Sequence, residues 1–239
     1  MTKLLYQTDS MLRSFNATVQ TVDVENHSVL LDQTAFYPGG GGQPKDEGSL
    51  RTTGMRWEVS KLRRLPEGLW HDLAGDASLP AVGVTLEGEI NWERRYQLMR
   101  THSALHILCG VVFRDYGALV TGGDMEPLKG RMDFEFETLS KELVGVIEEA
   151  VNREVVKNLP VRVAILPREE AFNIPDLIRT KINLLPPEIK EVRVVELVGL
   201  DLQADGGTHV RSTGEVGRIR VVDYKSKGKI NKRIYIELE

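Results

Sequence analysis

From Asn91 to Tyr116 the chain reads NWERRYQLMRTHSALHILCGVVFRDY, with no proline and a single glycine, Gly110. No other stretch constrains the fold as strongly. Asn91 is a favourable N-cap, because its side chain accepts a hydrogen bond from a first-turn N–H. Behind it the apolar residues recur at helical spacing. Residues 92–115 are therefore read as one long helix, about 36 Å at 1.5 Å per residue.

The texture differs on the two sides of this helix. Upstream, residues 18–22, 28–31, 56–62 and 83–87 are short strand candidates, several with rough alternation. Gly and Pro interrupt them at 38–42, 54, 66–68 and 80, which suggests a small β-barrel or curled sheet. Downstream, residues 117–123 read as a loop, and residues 131–137 alternate strictly as a strand. Ser140 caps a second helix running to about Lys157. Residues 161–166 and 192–198 read as strands, and 217–224 and 230–238 as a hairpin around KSKGK. The order is not regularly βαβ, so the class is α+β with an antiparallel sheet. A boundary near residue 89 separates an N-terminal barrel domain, 1–88, from a second domain, 89–239.

Bulk properties narrow the classes. Hydrophobic residues make up 41% and charged residues 28% of 239, ordinary for a soluble globular protein. The apolar runs are too short for a transmembrane helix, so no membrane partner is expected. MTKLLYQTDSML lacks the apolar core of a signal peptide. One cysteine, Cys109, excludes an internal disulfide and suits a reducing, cytoplasmic setting. A net charge of −4 gives no global pull toward nucleic acid, so RNA contact would rest on local basic patches.

Two features carry chemistry. The first is FYPGGGGQP, with Gly39, Gly40, Gly41 and Gly42 before Gln43. It lacks the Gly-Lys-Ser/Thr ending of a P-loop, and Pro44 with Gly48 reads as a further turn rather than a nucleotide-binding helix. The second is histidine placement. Of five histidines, His102 and His106 lie four apart on the long helix, roughly 6 Å along one face. Asp205 and His209 lie four apart in the loop DGGTHV. Three imidazoles and one carboxylate form a possible Zn²⁺ set. Taken alone, a His pair at this spacing is a weak signal, and Ser103 stands where a zinc-protease motif has Glu. Cys109, about 10 Å along the helix from His102, is too far to share the ion and reads as a small core residue. His27 and His71 read as surface or half-buried residues.

Together these segments resemble a known family. INWERRYQLMRTHSALHIL resembles the start of the editing domain of alanyl-tRNA synthetases. DGGTHV resembles that domain's second zinc motif, normally Cys-Gly-Gly-Thr-His, and FYPGGGGQPKDEG the glycine-rich motif preceding it. The matches cover about residues 34–210 in order and are similar to a freestanding AlaX-type trans-editing protein with an N-terminal barrel. Asp205 departs from the family by replacing its cysteine. Carboxylate and thiolate are both monoanions, so the site charge is kept, although a carboxylate makes a harder site.

The resemblance implies hydrolysis of the ester joining serine or glycine to tRNA for alanine, with zinc held by His102, His106, Asp205 and His209. It implies that the glycine run lies close to the editing site and that Thr121 reads the serine hydroxyl. Backbone N–H groups of Gly206, Gly207 and Thr208 are candidates to face the developing oxyanion. Candidate phosphate contacts are Arg94, Arg95 and Arg100, and Lys225, Lys227, Lys229, Lys232 and Arg233 of the hairpin. Two rival readings are a metal-free tRNA-binding module derived from an editor and a zinc hydrolase of a small ester or amide.

Overall fold

The computed structural model describes residues 1–180 and 189–239, which form two compact units. The first comprises residues 1–40 and 44–96, and the second residues 41–43 and 97–239.

In the first unit, β1 (Lys3–Leu4) is followed by β2 (Ser14–Asp23), β3 (Ser28–Leu31), β4 (Gln33–Thr34), β5 (Gly48–Thr52), β6 (Met55–Leu65), β7 (Gly68–Leu73) and β8 (Thr85–Ile90). Six of them close a barrel in the order β2-β3-β7-β6-β5-β8, and β1 pairs with β4 beside it. The barrel is closed by β2, whose Ser14–Thr18 end pairs antiparallel with β8 and whose other end pairs with β3. Alternate residues of β2, Phe15, Ala17 and Val19, point inward with Val29, Leu31, Leu50, Trp57, Leu69 and Leu86. His71 is also inside, against the expectation of a half-buried residue. It is fully buried, with Nε2 2.9 Å from Thr34 Oγ1 and its ring edge-on to Phe36. Alternation along β7 places it inward, and burial lowers its pKa to about 4.

Strands β5 and β7 carry no clear sequence signal, because each is short and broken by charged or small residues. Their partners, β6 and β8 for one and β3 and β6 for the other, supply the order that local propensity does not.

Helix α1 (Trp92–Tyr116) starts where the N-cap residue predicts, with Arg94 N donating to Asn91 Oδ1. Its first turn belongs to the barrel unit, where Arg95 is fully buried. The Arg95 guanidinium donates to both oxygens of Asp46 and to the carbonyls of Ser10 and Ala35. Asp46 in turn accepts from Tyr37 N, and Asp46 N donates to Tyr37 O, so this buried pair closes the base of the glycine loop. All four glycines have positive φ, from 59° to 134°, a region that side chains disfavour.

From Gln97 onward α1 lies in the second unit and is buried on nearly every side, with Leu98, Met99, Leu105, Ile107, Leu108, Val111 and Val112 all inside. Thr101, His102, Ser103 and His106 are buried with them, so α1 is the central helix of this unit although one stripe of it is polar. Around it are β9 (Val120–Glu126), β10 (Lys129–Glu135), α2 (Lys141–Val156), β11 (Val161–Pro167), α3 (Arg168–Phe172), β12 (Glu191–Leu197), β13 (Asp201–Ala204), β14 (Ile219–Ser226) and β15 (Asn231–Leu238). An antiparallel sheet runs β14-β15-β10-β9, and a smaller one runs β11-β12-β13. Ser140 caps α2 by accepting from Leu143 N.

The segment 117–123, expected as a loop, enters β9 at Val120. Pairing with β10 from Lys129↔Glu126 to Asp133↔Gly122 overrides the Gly122-Gly123 pair. The short elements α3 and β13 likewise have no counterpart in the sequence reading. Gly110 is required by a close approach. A Cβ there would lie 2.9 Å from Leu200 Cγ and 3.0 Å from Leu200 O. Its absence lets the turn into β13 approach one helical turn beyond His106.

Candidate metal centre

Helix α1 presents His102 and His106 on one face, as a four-residue spacing requires. The loop after β13 brings Asp205 and His209 to them. One ligand atom from each of the four residues lies within 4.8 Å of the others. His102 Nε2 is 3.5 Å from Asp205 Oδ1, and His209 Nε2 is 2.9 Å from Asp205 Oδ2. The three imidazoles are buried, whereas Asp205 and the neighbouring Gly206 are open to solvent on one side. A Cβ on Gly207 would sit 2.3 Å from His102 Cε1, so only glycine lets the loop pass this close.

Each imidazole is also held at Nδ1. His102 Nδ1 lies 2.9 Å from Gln43 Oε1, and His106 Nδ1 2.9 Å from Asp201 Oδ2. His209 Nδ1 lies 3.3 Å from Ser103 Oγ, which also accepts from Val210 N. A carboxylate accepts only, so His106 Nδ1 carries a proton and Nε2 is the nitrogen left to ligate. This is the arrangement by which metal-binding histidines are oriented. Asp205 accepts from Gly207 N at 2.8 Å, and Arg193 donates to its carbonyl at 2.9 Å.

Burial drives His102 well below the ordinary imidazole pKa, although Asp205 opposes it. Burial likewise lowers His209 to about 4 against the Asp205 hydrogen bond. Burial acts on His106 in the same direction, but the Asp201 hydrogen bond and charge prevail and raise it. Burial alone would raise the Asp205 carboxyl, yet the His102 and His209 imidazoles outweigh it and hold it well below the usual range. Two neutral imidazoles and a carboxylate are thus ready at neutral pH.

The residues fit zinc. Bond lengths of 2.0–2.2 Å put tetrahedral donor pairs about 3.3–3.5 Å apart, against 2.9 and 3.5 Å from Asp205 to His209 and His102 and no more than 4.8 Å for any pair. Nitrogen and oxygen donors with one net negative charge suit the ion. Cys109 takes no part. It is buried beside α1, accepts from Gln203 Nε2 at 3.3 Å, and burial pushes its thiol up.

Other expected site residues fall in different places. Gln43 and Thr208 meet inside the site, with Gln43 Nε2 donating to Thr208 Oγ1 at 2.8 Å. The N–H groups of Gly207 and Thr208 already have partners within the site. They donate to Asp205 Oδ2 and Gln43 Oε1, which leaves the exposed Gly206 N–H. Thr121 is exposed on β9, and its hydroxyl donates to Asn231 Oδ1 at 2.8 Å rather than to any of the four donors.

The basic candidates divide by what already occupies them. Buried Arg95 is committed to Asp46 and is not a phosphate contact. Arg94 pairs with Glu47 at 3.0 Å, and Arg100 donates to the Val216 and Glu239 carbonyls. Arg233 forms two bonds to Asp133, and buried Lys232 donates to the Gly228 and Lys229 carbonyls inside the hairpin turn. Lys225, Lys227 and Lys229 are exposed near the tip, Lys225 with Asp223 at 2.9 Å.

Sequence reasoning misses Asp201, Ser103 and Arg193. Only Ser103, between the two helix histidines, carries a positional hint.

A family profile described as the threonyl and alanyl tRNA synthetase second additional domain matches residues 192–235. Another, described as class II (A) tRNA synthetases, matches residues 4–94. The chain is 40% identical over 237 residues to the alanyl-tRNA editing protein AlaX-M of Saccharolobus solfataricus, covering 98% of each. It is 36% identical over 244 residues to AlaX-M of Methanosarcina acetivorans, covering 100% of this chain and 99% of that one. An alanine–tRNA ligase of Pyrobaculum neutrophilum is 38% identical over 227 residues, which is 92% of this chain and 25% of the ligase.

Proposed function

Because the chain belongs to the AlaX-M family of alanyl-tRNA editing proteins, we propose that it hydrolyses serine or glycine from mischarged tRNA for alanine, in trans. The observation that carries this reading is the convergent donor set of three buried histidines, His102, His106 and His209, with half-buried Asp205. These residues would hold zinc, which supplies Lewis acidity to polarise an ester carbonyl or activate a water.

The protein's own groups do the rest. Asp201 and Gln43 hold two imidazoles by Nδ1 and leave Nε2 free to ligate. Gly206, on the exposed rim of the loop, is the backbone donor left for the carbonyl oxygen as it becomes negative. Water adds to the carbonyl carbon, the bond to the ribose oxygen breaks, and that oxygen leaves with a proton. Alanine must be spared, which requires a polar group that pairs with the serine hydroxyl and is left unpaired by a methyl. Thr121 remains the candidate reader, and to act it would exchange its bond to Asn231.

We read residues 1–88 as the N-terminal barrel domain and 89–239 as the zinc-dependent editing domain, working in the cytoplasm. Among the described residues no helix is long and apolar enough to cross a membrane. The lysines of the β14–β15 tip are the proposed tRNA contacts. A convergent set of four donors, with Asp205 supplying the anion, favours the enzyme over a metal-free RNA-binding module.

Amino acid release from Ser-tRNA(Ala), Gly-tRNA(Ala), Ala-tRNA(Ala) and small serine esters tests the reading. Rapid release from the first or second, with Ala-tRNA(Ala) spared, is expected. Equal hydrolysis of small esters would favour a general esterase instead.

A further inference from the structure

We propose that Gln43 is a positioning residue for the metal centre and that the glycine run exists to deliver it. The inference rests on reading the four-residue cluster as a zinc site.

The hydrogen bonds around Gln43 fix their own polarity. Thr208 N–H can only donate, so the Gln43 atom 3.0 Å from it is the amide oxygen. The same oxygen lies 2.9 Å from His102 Nδ1. That nitrogen must therefore carry the proton, which leaves the lone pair on Nε2, the atom facing Asp205. The Gln43 amide nitrogen completes the set by donating to Thr208 Oγ1. One buried side chain thus joins a helix histidine to the loop that carries Asp205 and His209. It selects the ligating tautomer of His102 and fixes the ring.

The loop geometry shows how Gln43 gets there. Gly42 has φ 87°, and a Cβ on it would lie 2.9 Å from Gly123 O. Its carbonyl accepts from Met125 N at 3.2 Å, so the backbone lies flush against β9 one residue before Gln43. Residues 41–43 are grouped with the second unit while both flanks belong to the barrel unit. A loop serving only as a turn needs no buried amide at its end.

The decisive experiment uses the full chain and reads zinc affinity by competition with a chelating dye. Gln43→Leu removes the polar atoms and should weaken zinc binding about 10–100-fold, the usual cost of losing a group that orients a ligand. Gln43→Glu keeps an acceptor for His102 Nδ1–H and Thr208 N–H and should recover most of the affinity. Gly42→Ala leaves the Gln43 side chain intact but shifts its backbone, and should also weaken binding at least several-fold. It decides the matter if Gln43→Leu does not fold. A purely structural Gln43 would lower the melting temperature of the zinc-free protein and leave affinity unchanged. Wild-type affinity in Gln43→Leu or Gly42→Ala, or no recovery in Gln43→Glu, overturns the proposal. A wild-type protein that takes up no zinc overturns the zinc reading itself.

Discussion

Asp205 stands where the resemblance leads one to expect cysteine, and the structure places its carboxylate against both His102 and His209. Asp205→Cys should keep zinc and editing, since charge is preserved, and should hold zinc more tightly because thiolate is the softer donor. Asp205→Ala should weaken zinc binding at least tenfold, since the anionic donor is lost. Equal zinc affinity in wild type and Asp205→Ala would remove it from the ligand set. A second side chain with a measurable effect lies in the barrel. Buried His71 has a folded pKa of about 4 against 6.5 for the ordinary group. Between those values the unfolded chain binds the extra proton, so stability is full above about pH 6.5 and falls toward pH 4. The loss is on the order of 3 kcal/mol. Chemical denaturation of wild type and His71→Gln across that range should show a shallower pH slope in the variant. Parallel slopes would mean that His71 is not the titrating group.

Elements are legible in the sequence where their signals are local. Asn91 and the proline-free run mark α1, Ser140 marks the start of α2, and alternation marks β10. Strand β9 is hidden because Gly122 and Gly123 look like a loop until β10 pairs with them. The metal donors can be found because each pair lies four residues apart. The Gln43–Thr208 contact spans 165 positions, and no local pattern encodes it. Hairpin β14–β15 shows the same limit. Its basic residues look alike in sequence, yet Arg233 is spent on Asp133 and Lys232 on the turn. The triple substitution Lys225→Ala, Lys227→Ala, Lys229→Ala should weaken tRNA binding and flatten its log–log salt dependence by about 2, with Lys225 partly neutralised by Asp223. Zinc content should not change. An unaltered salt slope would move the RNA contact elsewhere.

Across the full chain, the site is an assembly of distant segments. It takes Gln43 from the glycine loop, His102 and His106 from α1, Asp201 from β13, and Asp205 and His209 from the loop that follows. None of these forms a donor set until the chain has folded, so zinc binding and folding are linked and added zinc should raise the melting temperature. A net charge of −4 opposes a polyanionic partner, which makes a local contact surface necessary for tRNA. Everything proposed for the reaction depends on one zinc ion, held by His102, His106, Asp205 and His209, supporting deacylation. Serine release from Ser-tRNA(Ala) should be measured with the full chain as purified, after chelator treatment and dialysis, and after one equivalent of zinc is restored. Stripping should lower the rate at least a hundredfold, and activity should return at one zinc per chain. A stripped protein that remains folded and deacylates at the original rate would contradict a zinc-dependent reaction.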